Sequence, residues 1–241
     1  MRNPLKKYNY IILLLLNSLL IPNDIGLIKN LKFIDGLSSN NITEISIDND
    51  NRAWIGTYNG ISMYNGNHFI NLFNSDSLSN KNINTIYSSK NNIWFGTNDG
   101  MYKISENEDN FIVENYINYK DGIYDIIKKG EKIFCTSKNK LIKISTLEKS
   151  IEEINFRNIK KLFSYKKNLI LATKTAIYFY EPENNKKTLL IELPNKINCI
   201  YLNGNQLLVG TENSLFIYKI GNSGIKLIDK KLINKNDTAI N

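Results

Sequence analysis

One short string, repeated at a nearly fixed interval, limits what this chain can fold into more than any other feature. WIGTYNG stands at residues 54–60, and a close copy, WFGTNDG, stands at residues 94–100. Aligned on the threonine, three weaker versions follow: FCTSKNKL from Phe134, ILATKTAI from Ile170 and LLVGTENSL from Leu207. The threonines are Thr57, Thr97, Thr136, Thr173 and Thr211, at intervals of 40, 39, 37 and 38 residues. An apolar residue precedes each by ten to twelve places: Ile45, Ile86, Ile126, Leu162 and Ile200. Two features in step over five units mark an array of small structural units, and the content of one unit tells which kind.

That content is strand. The first copy reads ITEISID (42–48), the turn NDNR, AWIGT (53–57), the turn YNG, ISMY (61–64), the turn NGN and HFINLF (68–73). Each is a short β segment bounded by Asn, Asp or Gly, the residues that tight turns favour. Helix is the poorer reading, because apolar spacing of 3.6 is not sustained past the first thirty residues. Four antiparallel strands in a repeat of this length make a propeller blade. The expected fold is all-β: a β-propeller of four-stranded antiparallel blades, with five full repeats and the start of a sixth, incomplete or open.

The repeated residues have packing tasks in such a fold. Trp54 and Trp94, on the second strand, fill the space between neighbouring blades, and Ile133, Ile170 and Leu208 take that place in later units. Aromatic rings bury a large apolar area, so this position carries much of the blade-to-blade packing. Gly56, Gly96, Cys135, Ala172 and Gly210 mark a position that wants a small side chain, as expected where another part of the chain comes close. Gly60 and Gly100 fall in the turn that joins second and third strands, where glycine permits positive φ. These are folding residues before they are anything else.

Two regions divide the chain. Residues 1–26 hold a basic start, MRNPLKKYNY, and an apolar run from Ile11 to Ile21, the layout of a secretory signal or N-terminal hydrophobic segment. The run is shorter than the ~20 residues of a spanning helix, so the membrane enters only through this segment if it stays uncleaved. Residues 27–241 are the propeller, with a truncated sixth repeat from about residue 232, where Ile240 aligns with Ile45 and Ile86. The segment LKFI (31–34) reads as a strand that would clasp the last blade. Cys135 and Cys199 fall in different units and are expected as two buried free thiols.

The order of GLSSNNI, Asp48, the WIGT string, the NGI turn and the YNG that follows resembles the first blade of the two-component regulator propeller family. The resemblance is strong over residues 31–104 and fades through 105–220, where the threonine, the apolar pairs and the tyrosines Tyr180 and Tyr218 keep the pattern. It implies the extracytoplasmic sensor region of a bacterial hybrid two-component protein, periplasmic and without catalytic activity. Family members continue into an immunoglobulin-like module, a membrane helix and a histidine kinase, and none of these is in this sequence. The resemblance further implies a small-molecule or oligosaccharide ligand and, through the missing C-terminal parts, a homodimer.

Motifs for chemistry are sparse. The single histidine, His68, lies in a strand-to-strand turn with no carboxylate nominated as its partner. DNDN at 48–51 lacks the glycine and distant glutamate of a calcium loop and reads as a hairpin turn, so no metal and no cofactor is expected. The net charge of +8 and pI of 9.2 come from lysines spread over almost every turn, without the basic and aromatic stripe of a nucleic-acid binder. A propeller enzyme, such as a lyase or glycan-cleaving enzyme, needs acidic or histidine groups converging from several inner strands or top loops. Those strands read mostly Ile, Asn, Thr, Ser and Lys, which favours a ligand binder over that alternative and over a protein-interaction scaffold. Tyr58, Asn59, Asn98 and Asp99 sit in equivalent turns on one rim, where turn chemistry alone accounts for them.

Overall fold

The computed structural model describes residues 30–72, 81–89, 92–107, 110–221 and 224–232. The proposed signal segment (1–26) and nearly all of the truncated sixth repeat lie outside the described residues. From Lys32 onward the chain forms one compact unit.

Among the described residues, twenty strands form five four-stranded sheets, each a simple antiparallel meander. The first sheet holds β1 (Ile42–Ile47), β2 (Ala53–Thr57), β3 (Gly60–Tyr64) and β4 (Phe69–Asn71). The second holds β5 (Ile83–Ser89), β6 (Asn92–Thr97), β7 (Gly100–Asn107) and β8 (Asn110–Asn118). The third holds β9 (Asp125–Lys129), β10 (Lys132–Ser137), β11 (Lys140–Ser145) and β12 (Ile151–Asn155). The fourth holds β13 (Lys161–Tyr165), β14 (Asn168–Ala172), β15 (Ala176–Glu181) and β16 (Lys186–Glu192). The fifth holds β17 (Ile197–Asn203), β18 (Gln206–Thr211), β19 (Ser214–Gly221) and β20 (Gly224–Leu232). Inner strands of successive sheets adjoin, β1 beside β5, β5 beside β9 and β9 beside β13, which is propeller architecture.

Strand alternation sends one set of side chains forward to the next sheet and the other back to the previous one. Trp54 faces forward onto Ile86, Phe95 and Tyr102, and its ring meets Phe111 edge-on with centroids 5.4 Å apart. Trp94 repeats this against Ile126, Cys135 and Ile142, with Tyr116 at its edge. The backward-facing set is the periodic apolar series: Ile86, Ile126 and Leu162 are each under 8 % exposed. Gly56 and Gly96 are small because a Cβ would press on the next sheet's approach, at 2.7 Å from the Ile83 side chain and 2.5 Å from the Ile123 carbonyl oxygen.

The third sheet shifts the sequence alignment by one residue. In the first sheet Thr57 pairs with Gly60 across the turn, and in the third the corresponding pair is Ser137 with Lys140. Ser137, not Thr136, therefore takes the repeated threonine's place, and the intervals become 40, 40, 36 and 38 residues. Phe134, not Ile133, is the forward-facing residue, packed on Leu162, Leu169 and Leu171 of the fourth sheet. Thr136, not Cys135, holds the small position, while Cys135 faces back among the second-sheet cluster. A threonine next to a serine offered two alignments, and only strand pairing separates them.

Among the described residues, the first and fifth sheets do not cover each other, and both end faces keep the residues that elsewhere meet a neighbour. Ile45, whose counterparts Ile86, Ile126 and Leu162 are buried, is 55 % exposed. Leu208, the counterpart of Trp54, stays partly exposed, with Tyr201 exposed beside it. The expected clasp strand at 31–34 is a 3-10 turn instead, Phe33–Asp35, held by Gly36 at φ 105°. The chain then crosses the first sheet, where the Ser38 amide donates to Ser62 Oγ at 2.9 Å and Asn71 Nδ2 donates to the Gly36 carbonyl at 2.6 Å. Of the two thiols, Cys135 is buried and Cys199 is exposed, because β17 is an inner strand of the end sheet.

Candidate functional site

In a meander the turn between second and third strands and the connection to the next sheet close the same ends of the strands. The repeated threonines lock that end. Thr57 Oγ1 donates to the Gly60 carbonyl at 2.9 Å and accepts from the Asn59 amide at 3.0 Å. Thr97, Thr173 and Thr211 bridge their turns in the same way, to Gly100, Ala176 and Ser214. A hydroxyl able to donate and accept suits a two-residue turn that otherwise leaves backbone groups unpaired, which explains why the residue repeats. Gly60 adopts φ 97° in its turn, and a Cβ on Gly100 would run into the Ile117 carbonyl oxygen.

On this end, between the second, third and fourth sheets, lies a recess of about 530 Å³. Asn98 comes from the β6–β7 turn, Lys120, Asp121 and Tyr124 from the β8–β9 connection, and Lys138 from the β10–β11 turn. Asn158, Ile159 and Lys160 come from the β12–β13 connection, and Ser137 of β10 completes it. Among the described residues, the side chains of Lys120, Lys138 and Lys160 form no ion pair or hydrogen bond. By contrast Lys81 is spent on Asp99, and Lys143 on Glu152 at 2.9 Å. Tyr124 is 46 % exposed, with its hydroxyl above Gly122. Asn98 Oδ1 accepts from Asn84 Nδ2 at 3.0 Å. Of the four rim residues named from the sequence, only Asn98 lines the recess. Asp99 is tied to Lys81, and its amide donates to Thr97 Oγ1 at 3.3 Å. Tyr58 is exposed, and Asn59 belongs to its own turn.

Below this end, the inner strands place one residue each in equivalent register against the small position of the second strand: Glu44, Thr85, Asp125, Lys161 and Cys199. Lys161 Nζ lies 3.2 Å from Asp125 Oδ1 and 4.0 Å from Glu44 Oε2, so one ammonium group links the first, third and fourth sheets. Asp125 also accepts from the Leu162 amide at 2.5 Å. Burial pushes the Asp125 carboxyl up, with Lys161 opposing. Burial depresses Lys161, but the carboxylates of Asp125 and Glu44 outweigh it and hold its ammonium above the ordinary value. These acidic groups were passed over in the sequence, although each stands immediately before a residue of the apolar series.

A second polar node joins the first two sheets at the opposite end. Asp48 is buried and accepts from Trp54 Nε1 at 2.8 Å, from the Arg52 amide at 2.9 Å and from Arg52 Nε at 2.7 Å. Arg52 reaches on to Glu106 of the second sheet with two bonds, 2.8 and 2.9 Å long, beside the ring of Phe111. Burial raises the Asp48 carboxyl, and these donors more than reverse it, leaving it below the ordinary carboxylate value. The DNDN turn thus anchors the tryptophan of the repeat. His68 lies in the β3–β4 turn, where its amide donates to Asn65 Oδ1.

Two stretches, residues 36–59 and 77–99, match the two-component regulator propeller family. They take in the inner and second strands of the first and second sheets, the part of the chain over which the resemblance is strong. No curated protein matches the sequence. Solved structures extend the likeness over the whole array. The extracellular domain of a putative hybrid two-component system from B. thetaiotaomicron superimposes with TM-score 0.69 at 16 % identity, over 84 % of this chain and 29 % of that one. A second such domain from B. thetaiotaomicron gives TM-score 0.63 at 16 % identity, over 86 % and 36 %. PorZ of Porphyromonas gingivalis, a surface component of the type-IX secretion system, gives 0.62 at 13 %, over 84 % and 28 %. At these identities the likeness is one of fold. The chain spans about a third of the length of these structures.

Proposed function

We propose that this protein is the ligand-binding propeller of an extracytoplasmic two-component sensor, without catalytic activity, and that the recess between its second, third and fourth sheets is the ligand site. The observation that carries the reading is the make-up of the recess: polar residues from two turns and two connections, at the ends of the second and third sheets, converge on one concave space, and its three lysine side chains have no ion pair among the described residues. Extracytoplasmic placement draws support from the two B. thetaiotaomicron neighbours, which are extracellular domains. A binder rather than an enzyme is favoured because the two inner-strand carboxylates, Asp125 and Glu44, both face the Lys161 ammonium, and Asp125 also accepts from the Leu162 amide.

The test is a thermal-shift screen of the full chain with a saccharide and small-molecule panel, repeated with Tyr124→Ala. Ligands that raise the melting temperature of the parent and not of the variant support the recess as the site. Ligands that stabilise both equally would place binding elsewhere and refute it.

A further inference from the structure

We propose that Asn203 is a site of spontaneous covalent modification, at which the side-chain amide is lost through a cyclic imide and the residue becomes aspartate or isoaspartate. The chain holds three Asn-Gly pairs: Asn59-Gly60, Asn65-Gly66 and Asn203-Gly204. Glycine leaves the amide nitrogen after each asparagine unshielded by a side chain. That nitrogen gives up its proton and attacks the asparagine Cγ; the new N–C bond forms, the Cγ–Nδ2 bond breaks, and ammonia leaves with the proton. Water then opens the five-membered imide at either carbonyl, which restores the ordinary peptide or reroutes the main chain through the side-chain carbon. By sequence the three pairs are equal, and the fold separates them.

Ring closure needs a free side-chain amide and a free following N–H. The first pair lacks the second: the Gly60 amide donates to the Lys81 carbonyl at 2.8 Å, its carbonyl accepts from Thr57 Oγ1, and the glycine is buried. Asn65 is exposed, but its Oδ1 accepts from the amides of Asn67 and His68, both at 3.0 Å, which commits the side chain to its own turn. Asn203 ends β17 at the exposed tip of the β17–β18 hairpin. Among the described residues, neither its side chain nor the Gly204 amide has a hydrogen-bond partner. Gly204 sits at φ 55°, and beyond its chain neighbours no atom lies within 4 Å of the place its Cβ would take.

The neighbouring Asn205 ties this hairpin to the rest of the array. Its Oδ1 accepts from the Tyr165 hydroxyl of the fourth sheet at 2.9 Å, and its carbonyl accepts from the Ile220 amide at 2.8 Å. Isoaspartate at 203 puts an extra methylene into the main chain where Asn203 pairs with Gln206, so the modified hairpin loses its register and with it this tie. The end sheet, β17 to β20, is the part of the fold that loosens.

The test incubates the full chain at mildly alkaline pH and follows all three sites by peptide mass mapping, with fragmentation that separates isoaspartate from aspartate. Asn203 should convert about tenfold faster than Asn59, the factor imposed by first opening the Gly60–Lys81 hydrogen bond, and clearly faster than Asn65. In concentrated urea the three rates should converge, because the fold sets the order. Asn203→Gln, whose longer side chain would have to close a six-membered ring, should remove the fast phase of ammonia release while circular dichroism shows the fold retained. After ageing, peptides from β17 to β20 should exchange hydrogen faster in the parent than in Asn203→Gln. Asn59 or Asn65 converting as fast as Asn203 in the folded protein would overturn the assignment, as would the same order persisting in urea. Equal exchange in aged parent and variant would overturn the loosening of the end sheet and leave the site standing.

Discussion

Replacing each repeat tryptophan by phenylalanine separates two residues that the sequence makes equivalent. Trp54 and Trp94 hold the same strand position, are 0 % and 3 % exposed, and each meets an aromatic ring edge-on in the next sheet. They differ most at the indole nitrogen. Trp54 Nε1 donates to the buried Asp48 carboxylate at 2.8 Å, whereas Trp94 Nε1 is buried with no partner among the described residues. Phenylalanine removes a similar volume at both sites, costing roughly 1 kcal/mol in residual cavity. At Trp54 it also removes a hydrogen bond to a charged group, worth about 1.5–3 kcal/mol. At Trp94 it removes an unsatisfied donor, which offsets the cavity cost by roughly 1 kcal/mol or more. Trp54→Phe is therefore expected to destabilise by about 2.5–4 kcal/mol and Trp94→Phe by less than about 1 kcal/mol. Urea denaturation followed by far-UV circular dichroism, with equal m-values as the condition for comparison, measures both. Equal losses within about 0.5 kcal/mol, or a larger loss at Trp94, would refute the assignment of this difference to the indole N–H.

Three further outcomes follow from the packing and the charges. Gly96→Ala should destabilise by about 1–3 kcal/mol, because its Cβ meets the Ile123 backbone; Gly210→Ala should cost less, because the obstacle there is the Cys199 thiol, a side chain that can rotate. Chemical denaturation of both variants checks the order. In the folded protein a thiol reagent should modify Cys199 quickly and Cys135 only after unfolding, since Cys135 is buried and its thiol is pushed well up by burial and by the nearby Asp125; peptide mass mapping distinguishes them. Asp48 titrates below its ordinary value of 3.8 in the fold, so its contribution is complete above that value and is lost as pH falls through the lowered one. The stability gap between parent and Asp48→Asn should therefore be constant at neutral pH and shrink below about pH 4, as melting curves between pH 2 and 6 would show.

Local sequence and tertiary structure divided the information unevenly. The sequence by itself determined the all-β class, the four-stranded unit and its number of copies, because alternation, turn residues and period are local properties that each unit states again. The first two units were legible to the residue, since WIGT and WFGT leave one alignment open. In the third unit Thr136 and Ser137 can each make a turn hydroxyl, and cross-strand pairing decided for Ser137 and thereby for Phe134 as the packing residue. The 3-10 turn at Phe33–Asp35 escaped the strand reading because its apolar residues gain no partner from a closing blade. The link between Glu44, Asp125 and Lys161 was hidden because it joins residues that lie in three different units. The recess was hidden for the same reason: Asn98, Lys120, Lys138 and Lys160 are unremarkable turn residues along the chain, and only the rotation of one sheet against the next makes them neighbours.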